Sequence, residues 1–282
     1  MKKNYFILFL VFISSLLSAQ SKIENKYLLQ TKTNTFGLST VNLTDPYLSP
    51  LNYSGLGIRS EFEMHRLLKL DNNNISTQSK LSLMGAIALN PTNSASMMCF
   101  GANYGWGLHY HFRPLEQLQL LAGGLIDIDF GFKNIPRNVN NPVNVDLATN
   151  LNISGLAIYG IQTRRRLLKL QLSAQSPIFG YMFVPKVGSS YFEMFSLWNL
   201  TGATHLTSIH NKRGINGTFS IYVPFNYSTW RFGFRYENLK YSANDLVFKR
   251  NEINILIGTT FDVAKFAGRK NTPPKNFINF NN

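Results

Sequence analysis

Between residues 96 and 113 the chain reads SMMCFGANYGWGLHYHFR. Phe100, Ala102, Tyr104, Trp106, Leu108, Tyr110 and Phe112 fall on one parity, and Gly101, Asn103, Gly105, Gly107, His109, His111 and Arg113 on the other. A period of two held over that length is a strand with one face in an apolar medium and the other in a polar one. A helix would scatter the same side chains around its surface. The pattern recurs with Leu56, Ile58, Phe62 and Met64 against Arg59, Glu61, Glu63 and His65. It recurs again with Leu118, Leu120, Ile126, Ile128, Phe130 and Phe132 against Gln119, Asp127, Asp129 and Lys133. Near the C-terminus Trp230, Phe232, Phe234 and Tyr236 oppose Arg231, Arg235 and Glu237, and Ile253, Ile255 and Ile257 oppose Glu252 and Asn254. Turn-forming residues fill the gaps, as in Asp71-Asn72-Asn73-Asn74, Pro91-Thr92-Asn93 and the Asn/Pro-rich stretch 136–142.

Soluble β-sandwiches also alternate, but their strands are usually about 5–6 residues long. Several segments here alternate for much longer and carry Tyr, Trp and Phe near their ends, which suits tilted strands crossing an apolar band of roughly 25 Å. The pattern therefore predicts an all-β, antiparallel transmembrane β-barrel of about twelve strands. That count includes an opening strand near 32–43 and divides 190–210 at Thr201-Gly202-Ala203. The gaps at 70–74, 113–117, 164–167, 200–203 and 225–229 then face the periplasm, and those at 44–54, 90–95, 134–146, 184–190, 211–214 and 240–248 face outward. An alternative of about ten strands drops the opening strand and the division. The stretch YFEMFSLWNL (191–200) alternates poorly and is the weakest part of the larger count.

Composition narrows the setting. The 282 residues are 44% apolar and 15% charged, with a mean hydropathy of -0.08. After the N-terminus no run of about 18 apolar residues occurs, so a bundle of membrane helices is excluded. Residues 1–20 read as a cleaved secretory signal, with Lys2 and Lys3, an apolar stretch over 6–13 and the small exit Ser18-Ala19. The barrel is expected over 21–264 and a basic, flexible tail over 265–282, which includes Lys265, Arg269, Lys270 and Lys275. The formal net charge is +14. Removing the leader takes two lysines and no acid, so the mature chain stays strongly basic. Cys99 is the one cysteine, so neither an internal disulfide nor a thiolate metal centre can form.

The stretches YGWGLHYHFRP (104–114), LLAGGLIDIDFGFKNIPRNVNNP (120–142), HNKRG (210–214) and LKYSANDLVF (239–248) resemble an uncharacterised family of predicted outer-membrane β-barrel proteins from Gram-negative bacteria. The resemblance spans roughly 45–262 and implies an outer-membrane location. It carries over no catalytic or ligand residue.

The charges on the inward parity are the remaining chemistry. Arg59, Glu61, Glu63, His65, Arg231, Arg235, Glu237 and Glu252 form an expected lumen charge network, because an unneutralised charge inside a narrow barrel is costly. An enzymatic alternative takes His109 or His111 as general base with Asp127 or Asp129 orienting it, making an outer-membrane hydrolase. Ser82 and Ser154 are nucleophile candidates by parity alone. His109-x-His111 with either aspartate is also a conceivable metal set, but such a pair is nonspecific and no metal site is expected. Gly123 and Gly124 lie within a strand and do not form a phosphate loop. No organic cofactor and no nucleic-acid partner are expected. Arg164, Arg165, Arg166 and Lys169 read as a solvated turn, and Lys186, Lys212 and Arg213 as rim cations facing lipopolysaccharide phosphates. The leading functional expectation is a structural or binding barrel whose outer loops contact outer-membrane lipid, an envelope component or a partner protein. A small pore is the alternative, and the hydrolase comes third.

Overall fold

In the computed structural model, the residues described are 27–282 other than 140–141, 165, 187–190, 192–193, 195–201, 226–227, 264–276, 279 and 281–282. The expected signal peptide at 1–20 lies outside them. The alternating segments are strands: β1 (Tyr27–Leu28), β2 (Gln30–Asp45), β3 (Ser49–Leu67), β4 (Ile75–Leu89), β5 (Ser96–Leu115), β6 (Leu118–Asn134) and β7 (Val143–Gln162). They continue as β8 (Leu167–Phe183), β9 (Thr204–Ser208), β10 (Lys212–Pro224), β11 (Thr229–Ala243), β12 (Leu246–Val263) and β13 (Phe277–Ile278). From β2 to β8 each strand pairs antiparallel with the next. β8 then pairs with β10, β10 with β11, β11 with β12, and β12 returns to β2, so the sheet closes on itself.

The closed wall has ten strands, with β9 outside it, so the twelve-strand expectation is corrected. The expected number of the alternative is reached by different strands. The opening segment does enter the wall as β2, whereas the described residues of 190–210 contribute nothing to it. Thr204–Ser208 pairs only with the end of β8, and the strand expected over 190–200 lies outside the described residues apart from Tyr191 and Met194. The physical reason is that β8 and β10 hydrogen-bond directly over seven positions, so no further strand fits between them along that stretch.

One end of the barrel, called the near end, carries β1, β13 and the connections 68–74, 116–117, 163–166 and 225–228. The far end carries 46–48, 90–95, 135–142, 184–211 and 244–245. Asn244 and Asp245, both at positive φ (51° and 62°), make the two-residue turn that the right-handed strand twist favours in a hairpin.

Burial is inverted relative to a water-soluble barrel. Leu38, Leu56 and Ile255 are 67%, 72% and 73% exposed on the outside, while Arg231 and Glu252 are each 1% exposed inside. Aromatic side chains mark both margins of the apolar belt, Tyr110, Tyr159 and Trp230 toward the near end and Phe100 and Tyr181 toward the far end. The lumen is filled in three layers. Toward the far end sits an apolar cluster with Leu43, Leu48, Tyr53, Met97 and Ile135. The middle is charged. At the near end Leu67, Leu121, Leu156 and Ile158 surround Phe280.

Phe280 belongs to the tail expected at 265–282. It is 3% exposed, its ring stacks on His65 at 4.3 Å, and its carbonyl oxygen accepts a bond from Gln119 Nε2 (3.2 Å). Just before it, Phe277–Ile278 pairs in parallel with Tyr27–Leu28. The basic residues of that tail lie outside the described residues.

Candidate functional site: the lumen

Alternation on β3, β11 and β12 points every expected network residue inward, and register sets them within reach of one another. Arg59 forks onto Glu252, Nε to Oε1 at 2.8 Å and Nη2 to Oε2 at 2.5 Å, while its Nη1 donates to Ser82 Oγ. Arg235 bonds Glu61 and, at 2.6 Å, Glu237. Arg231 donates to Glu63 (2.9 Å) and to Ser220 (2.9 Å). His65 Nε2 and Gln78 Nε2 meet the other oxygen of Glu63, at 2.8 and 2.6 Å. Lys80, near Glu61 at 3.2 Å, and Arg250, paired with Glu237, complete the lattice. Their part was missed in the sequence, although Lys80 and Arg250 share the inward parity of Ser82 and Glu252. The lattice ties β3 and β4 to β11 and β12 over the inner face of β2, which lies between them in the wall, each charge facing an opposite one, as the desolvation cost of burial requires.

A second polar ladder lies on β5, β6 and β7. Asn150 donates to Asp127 (2.6 Å) and to Asp129 (2.8 Å), Asn152 donates to Asp127 (2.6 Å) and Asn103 to Asp129 (2.6 Å). The two aspartates are thus held by amides, one on each carboxylate oxygen, and not by histidines. His109 lies opposite Gly123, four residues from Asp127 along β6, about 13 Å at the rise of an extended strand; His111 is farther still. His109 Nε2 instead meets Ser154 Oγ at 3.0 Å, reaching across Gly123, and His111 meets Ser76 Oγ (2.7 Å) and Gln119 (2.6 Å). The His–Asp pairs of the hydrolase alternative are therefore not assembled. The Ser154–His109 pair that does form leaves His109 Nδ1 without a partner, so nothing fixes the imidazole for base catalysis. No group of three metal-ligating side chains occurs among the described residues.

Of the expected rim cations, Lys186 and Arg213 are exposed, but Lys212 points into the lumen at 4% exposure, its Nζ donating to Asn150 Oδ1 (2.7 Å). Lys212 opens β10 on the inward phase of the alternation, and that phase decides its direction. Arg166 packs its guanidinium over Phe225 (4.7 Å) at the near end. Between the lattice and the far end lies a cavity of about 120 Å³, bordered by Asp127, Asn150, Lys212 and Arg235 among others.

The far mouth is roofed. Lys133 bridges Asp45 (2.8 Å) and Asp146 (2.6 Å), and Tyr241 donates to Asp146 (2.9 Å). Tyr191 donates to Asn144 Oδ1 (3.0 Å) and accepts from the Val145 N–H (2.7 Å). Burial pushes its phenol above the ordinary value, so it stays a neutral donor. Ile135 is 1% exposed, Arg137 donates to the Ser94 carbonyl and Asn138 to the Leu48 carbonyl. Only one residue on, Val139 is 94% exposed.

A closed barrel with an apolar belt, a charged lumen and aromatic margins has the fold of Gram-negative outer-membrane proteins. The chain belongs to the family described as "Protein of unknown function (DUF3316)", which matches residues 5–270. No curated protein sequence matches it. Among solved structures it is similar to the outer-membrane protease OmpT of Escherichia coli, at 8% identity and a TM-score of 0.50, covering 87% of this chain and 99% of that one. It is also similar to the transport unit of the E. coli autotransporter AIDA-I (10% identity, TM-score 0.42, 89% and 94% covered). A further similar structure is the β domain of the Bordetella autotransporter BrkA (9% identity, TM-score 0.44, 86% and 100% covered). At these identities the likeness is one of fold alone.

Proposed function

We propose that the protein is a sealed outer-membrane barrel that acts as an anchor and presents its far-end loops to an envelope component or a partner protein. In this reading the leader at 1–20 is cleaved on export, the near end faces the periplasm and the far end the exterior. The observation that carries it is the filling of the lumen: ion pairs join β3 to β11 and β12 and, toward the far end, β6 to β2, and apolar clusters close the space on either side of the middle layer. A conducting path would need those pairs to part, leaving charges buried without partners at several kcal/mol each. Loop 135–142 supports the binding role, since its base is pinned by Ile135 and Asn138 while Val139 stands free at its tip.

The test is single-channel recording on the mature protein, refolded in detergent and shown to be folded by heat-shifted gel mobility. A folded protein that leaves planar bilayers silent is expected. Steady ohmic conductance from the folded species would overturn the reading in favour of a pore whose inner charges set ion selectivity.

A further inference from the structure

The wall is not hydrogen-bonded evenly. β8 and β10 pair over seven positions, from Lys169↔Tyr222 to Gln175↔Asn216, and then part. Beyond that point β8 holds Pro177, which has no N–H to donate, and a bulge against β7, where Asn152 pairs with Pro177 but Leu151 pairs with Phe179. The last residues of β8 are taken by β9. Residues 212–215 keep β11 as their partner on one side and have no strand partner on the other among the described residues. Among the described residues the wall between 176–178 and 212–215 is therefore a seam without strand pairing.

Both sides of this seam have a chemical character. Outside it, Leu172, Phe179, Ile215 and Phe219 are 56%, 47%, 50% and 41% exposed, so the seam lies within the apolar belt. Inside it, the 120 Å³ cavity is lined by Gln175 and Pro177 on one lip and by Gly214, Ile215 and Asn216 on the other. The lips touch without hydrogen-bonding: a Cβ added to Gly214 would stand 3.0 Å from Leu239 Cδ1, 3.3 Å from the Asn238 carbonyl oxygen and 3.5 Å from Pro177 Cδ, so a large side chain at 214 would crowd both the cavity and the seam. Space for roughly ten water-sized spheres accommodates a lipid headgroup but not its chains.

The cavity's inner wall is polar and bears both signs. Lys212 has three donors, and its one hydrogen bond is to the Asn150 amide oxygen, with no carboxylate at ion-pair distance among the described residues. Arg235, 3% exposed, leaves its Nε without a partner. Asp127 and Asp129 supply the opposite charge nearby. Met84, Met182 and Leu43 make part of the remaining wall apolar.

We propose that this seam is a lateral portal whose lips part around a single chain, and that the cavity binds one zwitterionic amphiphile. Its anionic group accepts from Lys212, its cationic group faces Asp127 and Asp129, and its chain leaves through the seam into the bilayer. A headgroup carrying both signs matches the near-balance of the wall, whereas a singly charged one would leave either the lysine or the aspartates unanswered.

The probe is lysophosphatidylethanolamine, titrated into the full mature barrel in a nonionic detergent and read by native mass spectrometry. The expected result is a single saturable adduct whose affinity falls at least tenfold in Lys212→Met and in Gly214→Trp, with free phosphoethanolamine a far weaker competitor. Failure of the folded wild type to take up one equivalent would overturn the proposal. So would equal uptake by both variants, which would mark an unspecific lipid belt, or equal competition by phosphoethanolamine, which would mark a site for polar solutes. Should Gly214→Trp not fold, Ser176→Cys with Ile215→Cys in a Cys99→Ser background serves instead: oxidation is expected to abolish uptake and reduction to restore it, and uptake unchanged by oxidation in the cross-linked protein would overturn the portal. Conductance plays no part in this readout, so failure here leaves the sealed-anchor reading standing.

Discussion

Replacing Arg59 with leucine is expected to lower the unfolding free energy of the barrel by about 3–5 kcal/mol. The guanidinium has 5% and the Glu252 carboxylate 0% side-chain exposure, so the substitution strands an anion in a site that water cannot reach. Ser82 loses its donor at the same time. The ion pair's own net worth is smaller than this loss, because both charges were desolvated to form it. The double variant Arg59→Leu/Glu252→Leu should therefore regain much of the lost stability. Urea titration of the refolded barrel, followed by the heat-shifted gel band, measures Arg59→Leu, Glu252→Leu and the double variant together with the wild type. A single variant costing under about 1 kcal/mol, or a double variant at the sum of the two singles, would show that the lattice does not hold the wall.

Gly123→Val is expected to cost a similar amount through different physics. A Cβ at this position would run into the Leu108 carbonyl oxygen and the His109 Cα, which are backbone atoms and cannot step aside as a side-chain tip could. The new side chain also occupies the space through which His109 reaches Ser154, leaving both buried groups without their bond. Overpacking of about 1–3 kcal/mol adds to a penalty of about 1–3 kcal/mol for the stranded polar groups. Gly124→Ala, one residue away and on the outer face, meets only the Asn152 carbonyl oxygen at 3.4 Å and should be close to neutral. Equal folded yields and urea midpoints for the two variants would contradict the assignment of Gly123 to the inner face.

The contrast between neighbouring glycines shows what the sequence makes legible. Strict period two fixes which way each side chain points, so the inward set from Arg59 to Glu252 could be read before any fold was known. Neighbourhood is another matter. Which strand pairs with which is written in hydrogen bonds that periodicity does not encode, so the direct β8–β10 pairing and the exclusion of Thr204–Ser208 were not visible. The same limit placed His109 beside Asp127, although register separates them along the strands. Asn150 and Asn152 carried a usable signal, since Asn-x-Asn on β7 has the same phase as Asp-x-Asp on β6, but uncharged amides drew no notice beside carboxylates. In the sequence Lys212 reads as a rim cation, because the inward phase of β10 depends on where that strand begins. Phe280 had no periodic context at all, and only the geometry of the near mouth reveals its seat.

The far-end connections are tied to one another around the rim. Asn138 reaches the Leu48 carbonyl, Arg137 the Ser94 carbonyl and Asn244 the Val184 carbonyl. Each of these bonds joins two different connections, so none of the joined segments moves without its neighbour. A molecule landing on this rim would meet backbone already set in place and would spend little of its binding energy on ordering it.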